Sequence, residues 1–144
     1  MYTVAVQAGQ AKDAAGNAVG NNVVLGWKPT PESARAIVAA LPLLRQAKTV
    51  HLAVWDEEPS VEKQASTVNI ERFLHRHGVP HVRLLRQGRP TRELGELSLS
   101  LCYDVQADLL VMGCYSRSRM REQILGGVTR TILKSMTLPV LMSH

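Results

Sequence analysis

Short apolar runs alternate with longer segments in which apolar residues recur at helical spacing, and this alternation strongly constrains the fold of the chain. The apolar runs predict five strands, at residues 23–26, 49–54, 81–85, 109–112 and 139–142. The segments between them predict helices that begin at Thr30, Ser60, Pro90 and about Gly127. We therefore expect a doubly wound α/β fold, a five-stranded parallel sheet with helices on both faces.

The predicted helices carry start and stop signals together with one apolar face. Thr30, Pro31 and Glu32 supply a hydroxyl cap, a proline at the first helical position and a carboxylate in the first turn. Pro42 either kinks this helix or marks its last turns, and Gly78 ends the second helix. The residues expected to face inward are Ala34, Ile37, Val38, Leu41, Leu44, Val61, Ala65, Val68, Phe73, Leu74, Leu94, Leu97, Leu101, Val105, Val128, Ile132 and Met136.

The first twenty residues differ from the rest of the chain. Residues 2–6 favour a strand, whereas residues 7–22 are rich in Ala, Gly, Asn and Gln without periodicity, which is typical of a mobile linker. We therefore divide the chain into an N-terminal extra strand or linker at 1–20 and one domain at 21–144. The first segment is either an added edge strand or a remnant of a longer protein.

Composition narrows the classes of function. No apolar stretch approaches the ~18 residues needed to span a bilayer, and the N-terminus does not show the pattern of a signal peptide. Cys102 and Cys114 form no C-x-x-C motif, which favours a reducing cytoplasm. The net charge of +5 is compatible with a nucleic-acid partner, an anionic metabolite or solubility alone. With one Phe, three Tyr and two Trp, few rings are present to stack on bases, which argues against a nucleic-acid partner.

The apolar run 109–112 ends abruptly in Gly113 and leads into a polar loop that contains Arg117, Arg119 and Arg121. The pair Gly126-Gly127 then opens the last helix. In such a layout backbone N–H groups and the positive end of the helix dipole converge. We expect an anion site here, at the carboxyl ends of the strands where the strand order reverses.

From about residue 22 to residue 144 the chain resembles the universal stress protein family, most clearly at 107–113 and 138–141. Nucleotide-binding members of that family show Gly-x-x-Gly, nine further residues, and then Gly-Ser or Gly-Thr. Here the frame reads Gly113-Cys-Tyr-Ser116, nine residues, and Gly126-Gly127, so the spacing is kept and two of the four positions differ. The resemblance implies a fold like that of the adenine nucleotide alpha hydrolases and a homodimer paired through the last strand.

The resemblance also implies a ligand, ATP or another adenine nucleotide. The adenine would lie beside Val54 of the second strand and Met112 before the loop. The acidic residue that usually holds the ribose is replaced by Lys28, which cannot accept a hydrogen bond from a hydroxyl. The implied ligand-binding residues are Lys28, Val54, Met112, Gly113, Ser116, Arg117, Gly126, Gly127, Val128 and Thr129.

These departures weaken a family-like ATP complex. The lost interaction at the ribose is worth roughly 1.5–3 kcal/mol, and the missing hydroxyl at Gly127 about 0.5–1.5 kcal/mol more. Ser116 costs on the order of 1–2 kcal/mol if its position requires φ > 0, and nothing if it does not. Together these changes are expected to reduce the affinity on the order of a hundredfold or more. Because Lys28, Arg117, Arg119 and Thr129 add donors, an alternative is that the site is retuned toward a different anion.

No phosphate-binding P-loop, dinucleotide turn, zinc-protease motif or nucleophile elbow occurs in the sequence, so neither a catalytic residue nor a metal ligand is assigned. We expect a cytoplasmic domain that acts by binding and associates with protein partners in response to a ligand or stress. The alternatives are an ATP-binding regulator with slow hydrolysis and a dimerisation module that binds no ligand.

The sequence also supports interpretations of the thiols and of one acidic run. Cys102 is expected to be buried and inert. Cys114, beside Arg117, is expected to be exposed with a lowered pKa. The acidic run 56–58 is either an exposed loop or a magnesium ligand set.

Overall fold

The strands form one parallel sheet whose order differs from the order along the chain. The computed structural model describes residues 12–13, 15–56, 60–114 and 127–144. In this part of the chain the strands are β1 (Asn22–Gly26), β2 (Thr49–Val54), β3 (Val82–Arg86), β4 (Leu109–Gly113) and β5 (Val140–Ser143). The helices are α1 (Pro31–Leu44), α2 (Val61–Arg76), α3 (Leu94–Asp104) and α4 (Gly127–Ser135). The sheet order is β3-β2-β1-β4-β5 with every pairing parallel, so the predicted five-stranded parallel sheet is confirmed.

Two apolar clusters cover the two faces of the sheet. One cluster joins the strands to α1 and α2, and the other joins them to α3 and α4. Side chains of β1 alternate between them, with Leu25 in the first cluster and Val24 in the second, both fully buried. β1 lies at the centre of the sheet, and the chain reverses its winding direction between β1 and β4. The helices therefore cover both faces, and the reversal falls where this fold class binds ligands.

Local signals determine where the first two helices begin. The Thr30 hydroxyl accepts a hydrogen bond from the Ser33 N–H at 3.4 Å, and the Ser60 hydroxyl accepts one from the Lys63 N–H at 3.2 Å. Pro42 lies in the last turn of α1, which ends at Leu44. These three features agree with the sequence prediction because each depends on residues within one turn of helix.

The start of α3 was predicted at Pro90 and is wrong, because the helix begins at Leu94. Here contacts with α4 determine the boundary. The Glu93 carboxylate accepts a hydrogen bond from the Thr131 hydroxyl at 2.6 Å. Gly95 lies so close to α4 that an added Cβ would stand 3.0 Å from the Thr131 Cβ. Neither contact can be inferred from the spacing of apolar residues in α3.

Several side chains predicted to face inward are exposed, and those predictions are wrong. They are Ala34, Val38, Val61, Ala65, Val68 and Met136. On α2 the buried positions are Thr67, Ile70 and Leu74, a stripe displaced by one residue from Val68. Thr67 tolerates burial because its hydroxyl donates to the Lys63 carbonyl at 3.0 Å. A polar residue, Thr67, therefore occupies the core-facing stripe of α2. A search for periodic apolar residues does not detect such a position.

Asp108 joins the amino end of β4 to the segment before β1. Its carboxylate accepts hydrogen bonds from the backbone N–H groups of Gly20 at 2.8 Å, Asn21 at 3.0 Å and Asn22 at 3.2 Å. Farther upstream, Lys12 and Ala18 form an isolated antiparallel bridge. The strand predicted at 2–6 lies outside the described residues, and the division of the chain at residue 20 stays a prediction.

His51 is a buried histidine near the amino end of the sheet, 7% exposed. Its Nε2 lies 2.9 Å from the Asn22 side-chain oxygen. The amide nitrogen of Asn22 donates to the carbonyls of Val105 and Gln106, so the Asn22 oxygen accepts and His51 Nε2 carries the proton. Nδ1 is buried without a hydrogen-bond partner. Burial lowers the pKa of His51 below the usual 6.5, and the nearby Arg83 lowers it further.

The lowered pKa makes the stability of the protein depend on pH. Below pH 6.5 the unfolded chain binds a proton that native His51 excludes, so the free energy of unfolding decreases as the pH falls toward the native pKa. We expect His51→Gln to reduce the loss of Tm between about pH 7.5 and pH 5.5. His75→Gln, at an exposed position of α2, should keep the wild-type dependence. An equal decrease in Tm with pH in wild type and His51→Gln across this range would contradict the prediction.

Candidate functional site

A pocket of about 340 Å³ lies over the carboxyl ends of β1 and β2. This volume is at the lower end of the roughly 300–1,000 Å³ typical of small-molecule sites. The lining residues come from four places: Trp27, Lys28 and Pro29 after β1, Val54, Trp55 and Asp56 at the end of β2, Lys63, Ser66 and Thr67 on α2, and Pro90 with Leu94 at the start of α3. Trp27 packs with the α1/α2 cluster and Trp55 with the α3/α4 cluster, so the pocket spans both helical layers.

The charged groups of the described pocket wall differ in whether they are paired. Arg86 donates from Nη1 to the Asp56 carboxylate at 3.2 Å, so this carboxylate is already engaged. Lys28 is exposed and forms no ion pair with any described residue. Lys63 also interacts with another group, so it is not an unpaired residue of the wall. The described wall therefore presents one unpaired cation, at Lys28.

Trp27, which lines the pocket, also carries a buried hydrogen-bond donor. Its indole N–H is shielded from solvent and has no acceptor among the described residues. An unpaired buried donor costs about 1–3 kcal/mol. Apart from His51 Nδ1, no other buried side-chain nitrogen or oxygen in the described ranges shares this state. Sequence reasoning did not anticipate this buried, unpaired donor of Trp27.

The structure brings two of the sequence-predicted ligand residues, Lys28 and Val54, into this pocket. Met112 is aligned with Gly26 on the neighbouring strand, but it is not part of the pocket wall. The Met112 side chain packs with the α3/α4 cluster, whereas the Val54 side chain packs with the α1/α2 cluster. The two side chains expected beside the adenine thus belong to opposite faces of the sheet.

Gly113, at the carboxyl end of β4, is pressed against the first turn of α1. An added Cβ would stand 2.5 Å from the Ser33 nitrogen and 2.8 Å from the Glu32 carbonyl carbon. Side chains do not reach such distances, so the backbone would have to shift. Gly113 therefore has a packing role, which the sequence motif alone did not reveal.

The other predicted ligand residues follow the polar loop or belong to it. Gly127, Val128 and Thr129 form the first turn of α4, where Gly127 is exposed and Thr129 is buried. Ser116, Arg117 and Gly126 lie outside the described residues. The structure therefore locates the helical part of the predicted loop site without bringing it into the pocket wall.

Cys114 differs from its prediction. The residue is half-buried, and its N–H donates to the Ser143 carbonyl at 2.8 Å. Burial raises the pKa of the thiol, and the negative charge of Glu32 raises it further. The predicted lowered pKa was wrong because the neighbourhood of a thiol depends on tertiary contacts.

Cys102 lies at a second, larger depression of about 660 Å³ between the end of α3 and the α4–β5 connection. Cys102 is buried, as predicted, and burial raises the pKa of its thiol to about 12. None of the predicted ligand residues lines this depression. We therefore place the candidate site in the smaller pocket.

Sequence reasoning missed the two tryptophans, Ser66 and Thr67. A signal for the tryptophans was present: Trp27 and Trp55 each follow the last residue of a strand, and each precedes a charged residue. Because β1 and β2 are parallel neighbours, equivalent positions after them meet at the same edge of the sheet. The α2 residues carried no such signal, since their place in the wall depends on how α2 packs.

Within the described ranges, no helix has the length and apolar character needed to cross a bilayer. No group of three or more His, Cys, Asp or Glu side chains in those ranges is placed to share a metal ion.

Comparisons with known proteins agree with this architecture. The family model described as the universal stress protein family matches residues 21–144. A search of curated proteins finds no match. Among solved structures, the chain is similar to the universal stress protein UspA from Lactobacillus plantarum, with 13% identity and a TM-score of 0.67, covering 89% of this chain and 100% of that one.

Two further structures share the fold. The hypothetical protein MJ0577 is 20% identical with a TM-score of 0.69, over 87% of this chain and 96% of the other. A universal stress protein in complex with cAMP is 21% identical with a TM-score of 0.67, over 86% and 96%. The family match spans the whole five-stranded sheet and all four described helices. The chain belongs to the universal stress protein family.

Proposed function

We propose that this domain acts by binding a small anionic ligand of the adenine-nucleotide class in the pocket over β1 and β2. The observation that carries the proposal is a pocket that combines two tryptophan rings with the unpaired cation of Lys28. Aromatic rings stack on heterocyclic bases, and a cation attracts a phosphate. The cAMP complex of a protein with the same fold supports this class of ligand.

The proposal assigns binding rather than turnover. Arg86 engages the carboxylate of Asp56, which is therefore not a free base in the described wall. Because the pocket is lined by both α2 and α3, a bound ligand would contact both helical layers. Occupancy would thereby change the surface that the domain presents to protein partners, which is a route to regulation under stress. We place this role in the cytoplasm, a proposal supported by the two free cysteines.

Tryptophan fluorescence tests the proposal directly, because both tryptophans of the chain line the pocket. ATP, ADP, AMP and cAMP are titrated with and without magnesium, and Tm is measured under the same conditions. A ligand at a hundred times its Kd stabilises the fold by about 2.7 kcal/mol, several degrees for a domain of this size. Ser66→Leu, which fills the wall, should abolish both responses, whereas Ser100→Leu on the exposed face of α3 should not. Flat fluorescence and an unchanged Tm at millimolar ligand would overturn the proposal.

We also propose a homodimer paired through β5. β5 lies at the edge of the sheet, and all four of its residues are half-buried. The carbonyls of Pro139 and Ser143 accept hydrogen bonds from β4. Because backbone groups alternate in direction along a strand, the N–H and C=O of Val140 and Met142 point away from β4. No other described strand pairs with this edge, and such an edge favours pairing with a second copy.

The dimer predicts a difference between two substitutions at Met142. Met142→Pro removes an outward N–H, so we expect a monomer in sedimentation velocity at concentrations where the wild type is a dimer. Met142→Ala loses the same side-chain packing but keeps the N–H, and it should remain a dimer. A dimer in both variants would show that the strand edge is not the contact.

A further inference from the structure

The described charged groups around the pocket leave one positive charge unpaired, that of Lys28, which follows β1. Asp56 and Arg86 neutralise each other at 3.2 Å, and the Asp56 side chain is 14% exposed. Lys63, which also lines the pocket, has an interaction of its own. Lys28 alone among the charged residues of the described wall is exposed and unpaired. Within the described wall, Lys28 is therefore the charged group that is open to a ligand.

This arrangement favours binding of a phosphorylated nucleoside over binding of the unphosphorylated one. The hydroxyls of an unphosphorylated ribose need an acceptor to bond as donors, and one oxygen of the described wall carboxylate already accepts a hydrogen bond from Arg86. A phosphate needs donors and positive charge, which the Lys28 ammonium supplies. The same ion pair offsets the negative charge of Asp56, which makes this carboxylate a weaker ligand for a divalent cation.

The tryptophans determine where the rest of such a ligand lies. Trp27 and Trp55 line the pocket from the two helical layers and offer ring surfaces for a base. Lys28 directly follows Trp27 and is exposed to solvent. A base held between the layers would therefore direct its phosphate toward the solvent-facing Lys28.

Building on the proposed function, we infer that Lys28 makes the pocket selective for a nucleoside monophosphate, bound without magnesium, over the unphosphorylated nucleoside. Lys28 is then the residue that determines specificity at this site. The phosphate lies at an exposed position, so the selectivity weakens as ionic strength rises.

The test compares adenosine, 5′-AMP and 3′,5′-cyclic AMP by tryptophan fluorescence, each with magnesium and with EDTA. The wild type should bind at least one monophosphate about tenfold or more tightly than adenosine, equally well in both conditions. Lys28→Ala should remove this preference, and Lys28→Asp should reverse it by repelling the phosphate and accepting from the ribose. Lys48→Ala, at an exposed lysine of the α1–β2 connection near the amino ends of the strands, should behave as wild type.

The outcomes separate this inference from the function on which it rests. Equal affinity of the wild type for adenosine and both monophosphates would overturn the inference while the pocket remains a ligand site. A preference that survives in Lys28→Ala, or one that needs magnesium, would also overturn it. If neither adenosine nor a monophosphate changes the fluorescence of the wild type, the inference and the proposed function both fail. Circular dichroism of each variant establishes that the fold is intact before binding is compared.

Discussion

Replacing Asp108 with alanine should lower the free energy of unfolding by about 3–5 kcal/mol, because three hydrogen bonds to one carboxylate are lost together. The bonds come from the N–H groups of Gly20, Asn21 and Asn22, at 2.8, 3.0 and 3.2 Å. These residues lead into β1, the central strand of the sheet. The loss corresponds to a decrease in Tm on the order of 10 °C or more for a domain of this size.

Asp104→Ala is the matched control for this prediction. Asp104 is the last residue of α3 and is exposed, so its removal should change stability by no more than about 0.5 kcal/mol. Asp108→Asn is a second variant of nearly the same size. It should be intermediate, because the amide keeps one oxygen but brings an NH₂ group toward backbone N–H donors. A Tm for Asp108→Ala within about 2 °C of wild type would show that water replaces the carboxylate without cost.

Gly113→Ala is expected to lower the free energy of unfolding by about 1–3 kcal/mol, since the added methyl group overpacks a backbone contact. The new Cβ would lie 2.5 Å from the Ser33 nitrogen, so β4 and α1 must move apart. Urea unfolding measures the loss, and an unchanged m-value would show that the denatured state is unaffected. If instead the variant is as stable as wild type, the start of α1 can shift without loss of packing.

Gly127→Ala is the control for the Gly113 substitution because it tests the other described glycine of the predicted motif. Gly127 is exposed at the start of α4, and among the described residues an added Cβ would meet nothing nearer than the Glu93 carboxylate at 3.6 Å. Alanine is a better helix former than glycine, so this variant should be unchanged or more stable by up to about 1 kcal/mol. If Gly113→Ala lowers the stability and Gly127→Ala does not, the packing role of Gly113 is distinct from any binding role that the two glycines share.

These two glycines also decide how binding data should be interpreted. A loss of ligand affinity in Gly113→Ala does not by itself identify a phosphate contact, because the substitution displaces the first turn of α1. A loss of ligand affinity in Gly127→Ala would be more informative, because the described surroundings of that backbone leave space for a methyl group. The ligand affinity of the Gly113 variant must therefore be interpreted together with the measured stability of that variant.

Much of the architecture followed from local patterns. The five strands, their parallel arrangement and the starts of α1 and α2 agree with the sequence predictions. Hydrophobic runs, hydroxyl caps and Pro31 act within a few residues, so the sequence carries them directly. For the site, the family resemblance implied Lys28 and Val54, and both residues line the pocket; their role in binding stays a prediction.

The sequence by itself determined the order of elements and the type of sheet. Only the tertiary structure decided that Asp56 is paired with Arg86, that both tryptophans line one pocket and that Cys114 has a raised pKa. It also decided that Gly113 must be small. The physical reason is the range of the interactions: periodicity and capping act within one turn or strand, whereas burial, ion pairing and close packing join residues that are far apart in the chain.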